Sequence, residues 1–419
     1  MESTKTGRSG MRAKRFGRLM AAGLALSVTA GACSSGDDDA SKATTTTKPS
    51  AESTTTVAAS LELTAADATA AATTYADVVF AAYSDTVEAA TELQTSIRAF
   101  TTTPSEATLN AARQTWVTAR EVYGPTEVFR FYDGPIDNPD DGPEGQINAW
   151  PLDESYIDYT ADTPDSGIVN DVAGVPTLTT EVLVAANEKD GETNISTGWH
   201  AIEFLLWGQD TATDGPGARP FTDYTTAPNA ARRATYLNLL ADLLVADLTG
   251  VRDQWNPESG AYRTEFLADP TTAVQNILRG MGALSAGELA GERMAVPYET
   301  KEQEDEHSCF SDNTLNDILG NARGVRLAYT ADYEGVDGTS LSEIVARLAP
   351  EADADLRKQL DNNVAAAEAL PGPFDQVIVG DDSAPGRVEL LDLVEDLQAQ
   401  GTAIASLASS LGLEISIEI

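Results

Sequence analysis

The chain has 419 residues, with 66 Asp and Glu against 27 Lys and Arg, and only two His and two Cys, for a net charge of −39. A field of that sign repels nucleic acid and anionic lipid and attracts cations, which excludes a nucleic-acid partner. Two cysteines are too few for a disulfide scaffold, so any folded part must be held by its core.

Residues 1–18 carry Lys5, Arg8, Arg12, Lys14, Arg15 and Arg18 against Glu2, and a short apolar run, Leu19 to Val28, follows. A basic region, a short apolar core and small residues before a cut make a secretory signal peptide, and the run is too short for a span of about 20 residues. Ala30-Gly31-Ala32-Cys33 resembles the lipobox of bacterial lipoproteins, whose cysteine is acylated and becomes the new N-terminus. The alternative is an ordinary small-residue cleavage site beside an incidental cysteine. The expectation is a signal peptide over 1–32, lipidation at Cys33, and a protein held outside the cytoplasm on a bacterial membrane, in the periplasm or at the cell surface. Removing 1–32 leaves 21 basic against 65 acidic residues, a net charge of −44. Residues 33–60 are Ser, Thr, Asp, Ala and Pro with almost nothing to bury, which predicts a disordered tether.

From residue 61 onward the pattern is helical nearly throughout. Leu61 to Phe100 is rich in Ala, with Val78, Val79, Ala82, Val87 and Leu93 at helical spacings. Thr103-Pro104-Ser105-Glu106 signals a helix start before Ala107 to Tyr123. Further helices are predicted over 232–253, 271–281, 316–329, 341–348, 352–370 and 388–411. Residues 61–419 exceed what one core usually covers. Two helical bundles are therefore expected, 61–250 and 251–419, divided near Gly250 and Asn256-Pro257. The fold class is all-α, with long irregular connecting segments. Two segments resist the helical pattern. Gly124 to Tyr159 is rich in Pro and Gly yet keeps Phe129, Phe131, Trp150 and Tyr156, which argues for packing. Ala295 to Thr314 is polar, with Glu302, Glu304, Asp305, Glu306 and His307 in close order. Long irregular segments in compact domains tend to be functional or mobile.

The densest signal is Ser196-Thr197-Gly198-Trp199-His200-Ala201-Ile202-Glu203-Phe204-Leu205-Leu206-Trp207-Gly208. Ser196 or Thr197 can cap a helix and Gly208 can end it. His200 and Glu203 then share one face, three residues apart. The helix N-terminus disfavours an imidazolium, and a neutral imidazole is what a metal needs. Glu203 precedes Phe-Leu-Leu-Trp, and a carboxylate buried there needs a counter-charge or a cation. One reading makes the pair metal ligands, as helical bundles do with carboxylate and histidine three apart. The other makes His200 a capping residue and pairs Glu203 with an arginine such as Arg130. The second histidine, His307, precedes Ser308-Cys309-Phe310-Ser311-Asp312-Asn313-Thr314, where Cys309 reads as a small buried apolar residue. An EF-hand over Asp137 to Asn148 fails at Pro139 and Asn148. There is no H-E-x-x-H, phosphate loop, nucleophile elbow or dinucleotide fingerprint.

Gly198-x-His200-x-x-Glu203 within G-W-H-A-I-E-F-L-L-W-G resembles the signature of the imelysin-like family, the iron-regulated protein A group. The resemblance extends to T-E-V-F-R-F-Y-D-G-P-I-D (126–137), I-N-A-W-P-L-D-E-S-Y-I-D-Y (147–159), G-E-L-A-G-E-R-M (287–294) and D-E-H-S-C-F-S-D-N-T (305–314). It implies two helical-bundle domains, an extracytoplasmic lipoprotein linked to bacterial iron acquisition, and a site near the domain junction. The family's pattern has a histidine directly after Ser-Asp-Asn-Thr, where this chain has Leu315, so a ligand role there is lost or passes to His307. The expected metal set is His200, Glu203, Glu127, Glu306, His307 and Asp312, supported by Arg130, Trp150 and Glu154. Glu127 is chosen because a free carboxylate among Val128, Phe129 and Phe131 is costly.

Three functions compete: a metal-binding lipoprotein, for iron, that captures an ion or chelate or hands it to a membrane iron transporter; a metallopeptidase of imelysin type; and a surface interaction protein. Hydrolytic zinc usually takes three protein ligands and a water, and only two histidines exist here. Carboxylate-rich, histidine-poor sites suit hard ions such as ferric iron. Binding is therefore favoured over catalysis.

Overall fold

The computed structural model describes residues 61–212 and 215–419. The expected signal peptide, the expected tether and Cys33 lie outside the described residues. Every regular element among those described is helical, and no strand occurs. The all-α expectation therefore holds.

Helix α1 runs Ala65–Thr102, started by Thr64, whose hydroxyl accepts from the Asp67 amide at 3.1 Å. Its buried stripe of small and β-branched residues lets α2 (Glu106–Tyr123) pack close. A capping box starts α2: the Ser105 and Thr108 side chains each bond the other's backbone N–H. Next comes a short 3-10 turn, Gly124–Val128. Short helices α3 (Glu144–Ile147), α4 (Glu154–Ile157), α5 (Gly167–Asn170) and α6 (Thr180–Ala186) lead to α7 (Gly198–Trp207). Helices α8 (Ala230–Gln254), α9 (Ala261–Ala268) and α10 (Pro270–Gly282) follow. A π-helical run, Ala283–Ala295, joins α10 to α11 (Val296–Thr300) without a break. The last elements are α12 (Thr314–Thr330), α13 (Leu341–Leu348), α14 (Pro350–Ala369), α15 (Phe374–Ile378) and α16 (Pro385–Ser410).

The Pro- and Gly-rich segment after α2 is packed rather than loose. The Asp137 carboxylate accepts from the backbone N–H of Phe131 at 2.5 Å, Tyr132 at 3.1 Å and Gly134 at 2.7 Å. Those bonds satisfy amides that no helix could reach, and they let Phe129, Ile136 and Ile147 enter the core. The second expected irregular segment is partly regular. Helix continues through the π-helical run to Thr300, with Pro297 where the π-helical run gives way to α11.

The expected boundary near residue 250 falls within the last turn of α8. Helix α1 packs both on α2 and α8 before that point and on α9 and α10 after it. All the described residues fall in one compact unit with a continuous apolar core.

Candidate metal centre

Every residue of α7 is buried. Thr197 takes the N-cap position, but its hydroxyl bonds the Asn187 side chain at 3.2 Å instead of capping. Gly198 has φ +87, and a Cβ there would stand 2.5 Å from the Ile147 carbonyl oxygen. Only glycine lets α7 start this close to α3. Trp116 donates its indole N–H to the Trp199 carbonyl at 3.1 Å, locking the first turn against α2. Gly208, at φ +75, ends the helix where the sequence placed the stop.

His200 and Glu203 meet as the spacing predicts: Nδ1 lies 2.9 Å from Oε2, and the residues are 1% and 0% exposed. The other carboxylate oxygen of Glu203 accepts from the Ser311 amide at 2.9 Å and the Ser311 hydroxyl at 2.7 Å. Burial pushes the Glu203 carboxyl up to about 8, against the Ser311 bonds. Burial, the neighbouring His307 and the Arg120 charge hold the His200 imidazole well below its ordinary value, so it is neutral. Its Nε2 is buried and has no hydrogen-bond partner. Glu203 thus sits behind His200 and orients it.

His307, 3% exposed, completes the pair from the segment before α12. Its ring centroid is 4.6 Å from that of His200, with the planes at 68°. Its Nδ1 lies 2.9 Å from Asp317 Oδ2. Burial alone would raise the Asp317 carboxyl, but the Arg120 guanidinium and the His307 and Ser308 hydrogen bonds override it and hold it well below the usual carboxylate range. An ionised Asp317 can only accept, and the Arg120 Nη2 lies 3.3 Å from the same His307 Nδ1. Burial and the Arg293 charge lower the His307 imidazole, against Asp317. Two neutral imidazoles, each backed by a carboxyl group at Nδ1, therefore come together from separate segments. Carboxylate–histidine pairs of this kind orient metal-binding imidazoles. Trp150 packs against both rings, tilted at 5.0 Å from His200 and edge-on at 6.4 Å from His307, and the Phe310 ring is 6.0 Å from it.

The other expected ligands divide into two groups with partners of their own. Glu127 is buried, but its charge is met by Arg120 at 3.4 Å and by Arg293, with Asn148 and Asn321 each at 3.3 Å. The cost that singled out Glu127 is real, and two arginines offset it. Arg130 pairs with Glu144 at 3.2 Å and Glu288 at 2.9 Å, not with Glu203.

Glu306, 1% exposed, accepts from the Thr314 hydroxyl at 3.1 Å with one oxygen, and its other oxygen has no partner. Burial, Asp375, Asp312 and Asp210 push its carboxyl up to about 9. Asp312, at φ +56, belongs to the same acidic group and is raised to about 6. Glu154 lies on the far side of Trp150, accepts from Gln209 at 2.7 Å and is raised to about 7 by burial and Glu304. Among the described residues no three His, Cys, Asp or Glu side chains are gathered as a metal-binding group. The imidazole pair is thus two donors, and the orphaned Nε2 of His200 is the observation that fits an ion.

Sequence reasoning missed Arg120, Asp317, Arg293 and Ser311. Arg293 lies in the block 287–294 and Ser311 in the block 305–314, but no spacing rule connects them to His200. A cavity of about 420 Å³ opens in front of His307 and Trp150, with Glu288 and Arg293 of the π-helical run on its wall.

The sequence model of the imelysin family (Peptidase_M75) matches residues 79–404, well over half of the chain. The chain belongs to the imelysin family. A relative named Iron-regulated protein A, from Synechococcus elongatus, is 28% identical over 353 residues, covering 81% of this chain and 83% of the relative. A crystal structure described as an iron-regulated protein A precursor, from Parabacteroides distasonis, superposes with a TM-score of 0.65 at 18% identity, covering 83% and 96% of the two chains. An imelysin-like protein from Psychrobacter arcticum gives 0.63 at 15% identity, covering 85% and 99%. At those identities the structures show a shared fold. The family resemblance read from Gly198-x-His200-x-x-Glu203 therefore stands.

Proposed function

We propose that this imelysin-family protein binds a metal ion, iron in its working setting, through the Nε2 atoms of His200 and His307. The reading rests on one observation above all: a buried imidazole whose Nδ1 is held by a carboxyl group and whose Nε2 meets no partner. Burying a polar nitrogen without a partner is costly, and a bound cation would offset that cost. The relative named Iron-regulated protein A supports iron as the ion. Residues 1–33 support secretion and a lipid anchor at Cys33, which would place the site outside the cytoplasm, next to a membrane iron transporter as receiver. Glu203 is fully occupied by His200 and Ser311, so it is poorly placed to activate water, which favours binding over hydrolysis.

Metal analysis of protein purified without chelators, with calorimetry on the parent and on His200→Ala, tests the site. Binding at one equivalent that His200→Ala loses by 100-fold or more is expected. Equal affinity in the variant would remove the site. Cys33→Ser should release the protein from the membrane fraction, and retention there would remove the anchor.

A further inference from the structure

We infer that the imidazole pair takes a divalent transition-metal cation, delivered as the free hydrated ion, and that the cavity before His307 turns away anionic metal chelates. This deepens the proposed metal-binding function and rests on it.

The donors come first. The carboxyl groups nearest the imidazoles are engaged elsewhere: Glu203 and Asp317 on the Nδ1 atoms, Glu127 on Arg120 and Arg293. What these three carboxyl groups leave at the imidazoles for an ion is ring nitrogen, with His200 Nε2 unpartnered. Imidazole suits divalent ions such as ferrous iron, cobalt, nickel and zinc, whereas ferric iron is best served by anionic oxygen. The donors left to an ion thus differ from the carboxylate-rich set expected from the sequence.

The approach comes second. The cavity of about 420 Å³ is lined by five carboxylates, Glu144, Glu188, Glu288, Glu292 and Asp305, against two guanidinia, Arg130 and Arg293. Neither guanidinium is available to a guest. Arg130 holds Glu144 and Glu288, and Arg293 holds Glu127 and Glu288. A chelate presenting carboxylates or catecholates would meet net negative charge with no open cation to receive it. A hydrated dication would be drawn in, and the charge of the whole chain adds to the attraction. Size gives the same answer at the end of the path. His307 lines the cavity, but His200 stands behind it and is 1% exposed. The two ring centroids are 4.6 Å apart, which leaves no room between the rings for a multidentate chelate.

Calorimetry and stopped-flow spectroscopy with Co²⁺ as the visible probe, and with ferric citrate as the anionic chelate, test this on the parent protein and on Glu188→Gln/Glu292→Gln. Both glutamates are exposed on the cavity wall, outside the imidazole pair. The parent should bind Co²⁺ at one equivalent and ferric citrate at least about 100-fold more weakly. The double variant should slow Co²⁺ association by about 3- to 10-fold at low salt, with the difference fading as salt rises. Ferric citrate binding as tightly as Co²⁺, or a double variant with unchanged association, overturns the inference while the metal site stands. Loss of neither ligand's binding in His200→Ala overturns the proposed function, and this inference with it.

Discussion

The Arg120 guanidinium donates from Nε to Asp317 Oδ1 at 2.9 Å and lies 3.4 Å from Glu127 through Nη2, with both arginine and partners buried. This one side chain from α2 neutralises two carboxylates that reach it from the 3-10 turn and from α12. It keeps Asp317 ionised beside His307. The arginine is therefore the joint on which the imidazole pair depends.

Arg120→Leu should leave the buried Asp317 carboxylate without its arginine and Glu127 with Arg293 alone, and the expected loss is about 3–5 kcal/mol of unfolding free energy. Urea denaturation followed by circular dichroism measures it. A loss under about 1 kcal/mol would mean that Glu127 and Asp317 are satisfied without Arg120.

Glu203→Gln should keep the helical circular dichroism and weaken metal binding by about 10- to 100-fold, the usual effect of disturbing a carboxyl partner of a metal-binding histidine. Glu203→Ala should do the same and also destabilise the fold by about 1–3 kcal/mol, because the Ser311 amide loses its acceptor. If Glu203→Gln binds metal like the parent, Glu203 does not orient His200.

Gly198→Ala adds a Cβ 2.5 Å from the Ile147 carbonyl oxygen at a residue with φ +87. Strain at such a position costs of order 1–3 kcal/mol, and the overlap adds to it. The thermal midpoint should fall by several degrees. An unchanged midpoint would show that α7 can shift away from α3.

Glu306 makes stability depend on pH. Its carboxyl is raised from 4.5 to about 9 in the fold. Below pH 4.5 it is protonated in both folded and unfolded chains and contributes nothing. As pH rises from 4.5 towards 9, the unfolded chain gives up this proton and the folded chain keeps it, so the folded state is progressively disfavoured. Glu306→Gln removes that penalty. The variant should match the parent near pH 4 and exceed it at pH 8 by on the order of 1–3 kcal/mol. A stability difference that does not vary with pH would contradict the burial of this carboxyl.

The purified protein should show no chelator-sensitive cleavage of unfolded substrates, since Glu203 has both oxygens engaged. Cleavage that disappears in Glu203→Gln would restore the peptidase reading.

Much of the fold was legible from local patterns. Helix α13 runs Leu341–Leu348 as the periodicity requires, and α2 begins at the capping signal around Ser105. His200 and Glu203 touch because three residues make nearly one helical turn, a purely local fact. The family signature was likewise contained in contiguous blocks. The meeting of His200 with His307, and the assignment of Asp317, Arg120 and Ser311 around them, was decided only by the tertiary structure. Those residues lie in α2, in α12 and in the segment before it, and periodicity within one helix says nothing about which helix it faces. The same holds for Glu127 and Glu306. Composition showed that a carboxylate in an apolar stretch needs a partner, whereas the packing of α2, α12 and the π-helical run determined that Arg120 and Arg293 supply it for Glu127. Burial among other acids left Glu306 with a raised carboxyl instead.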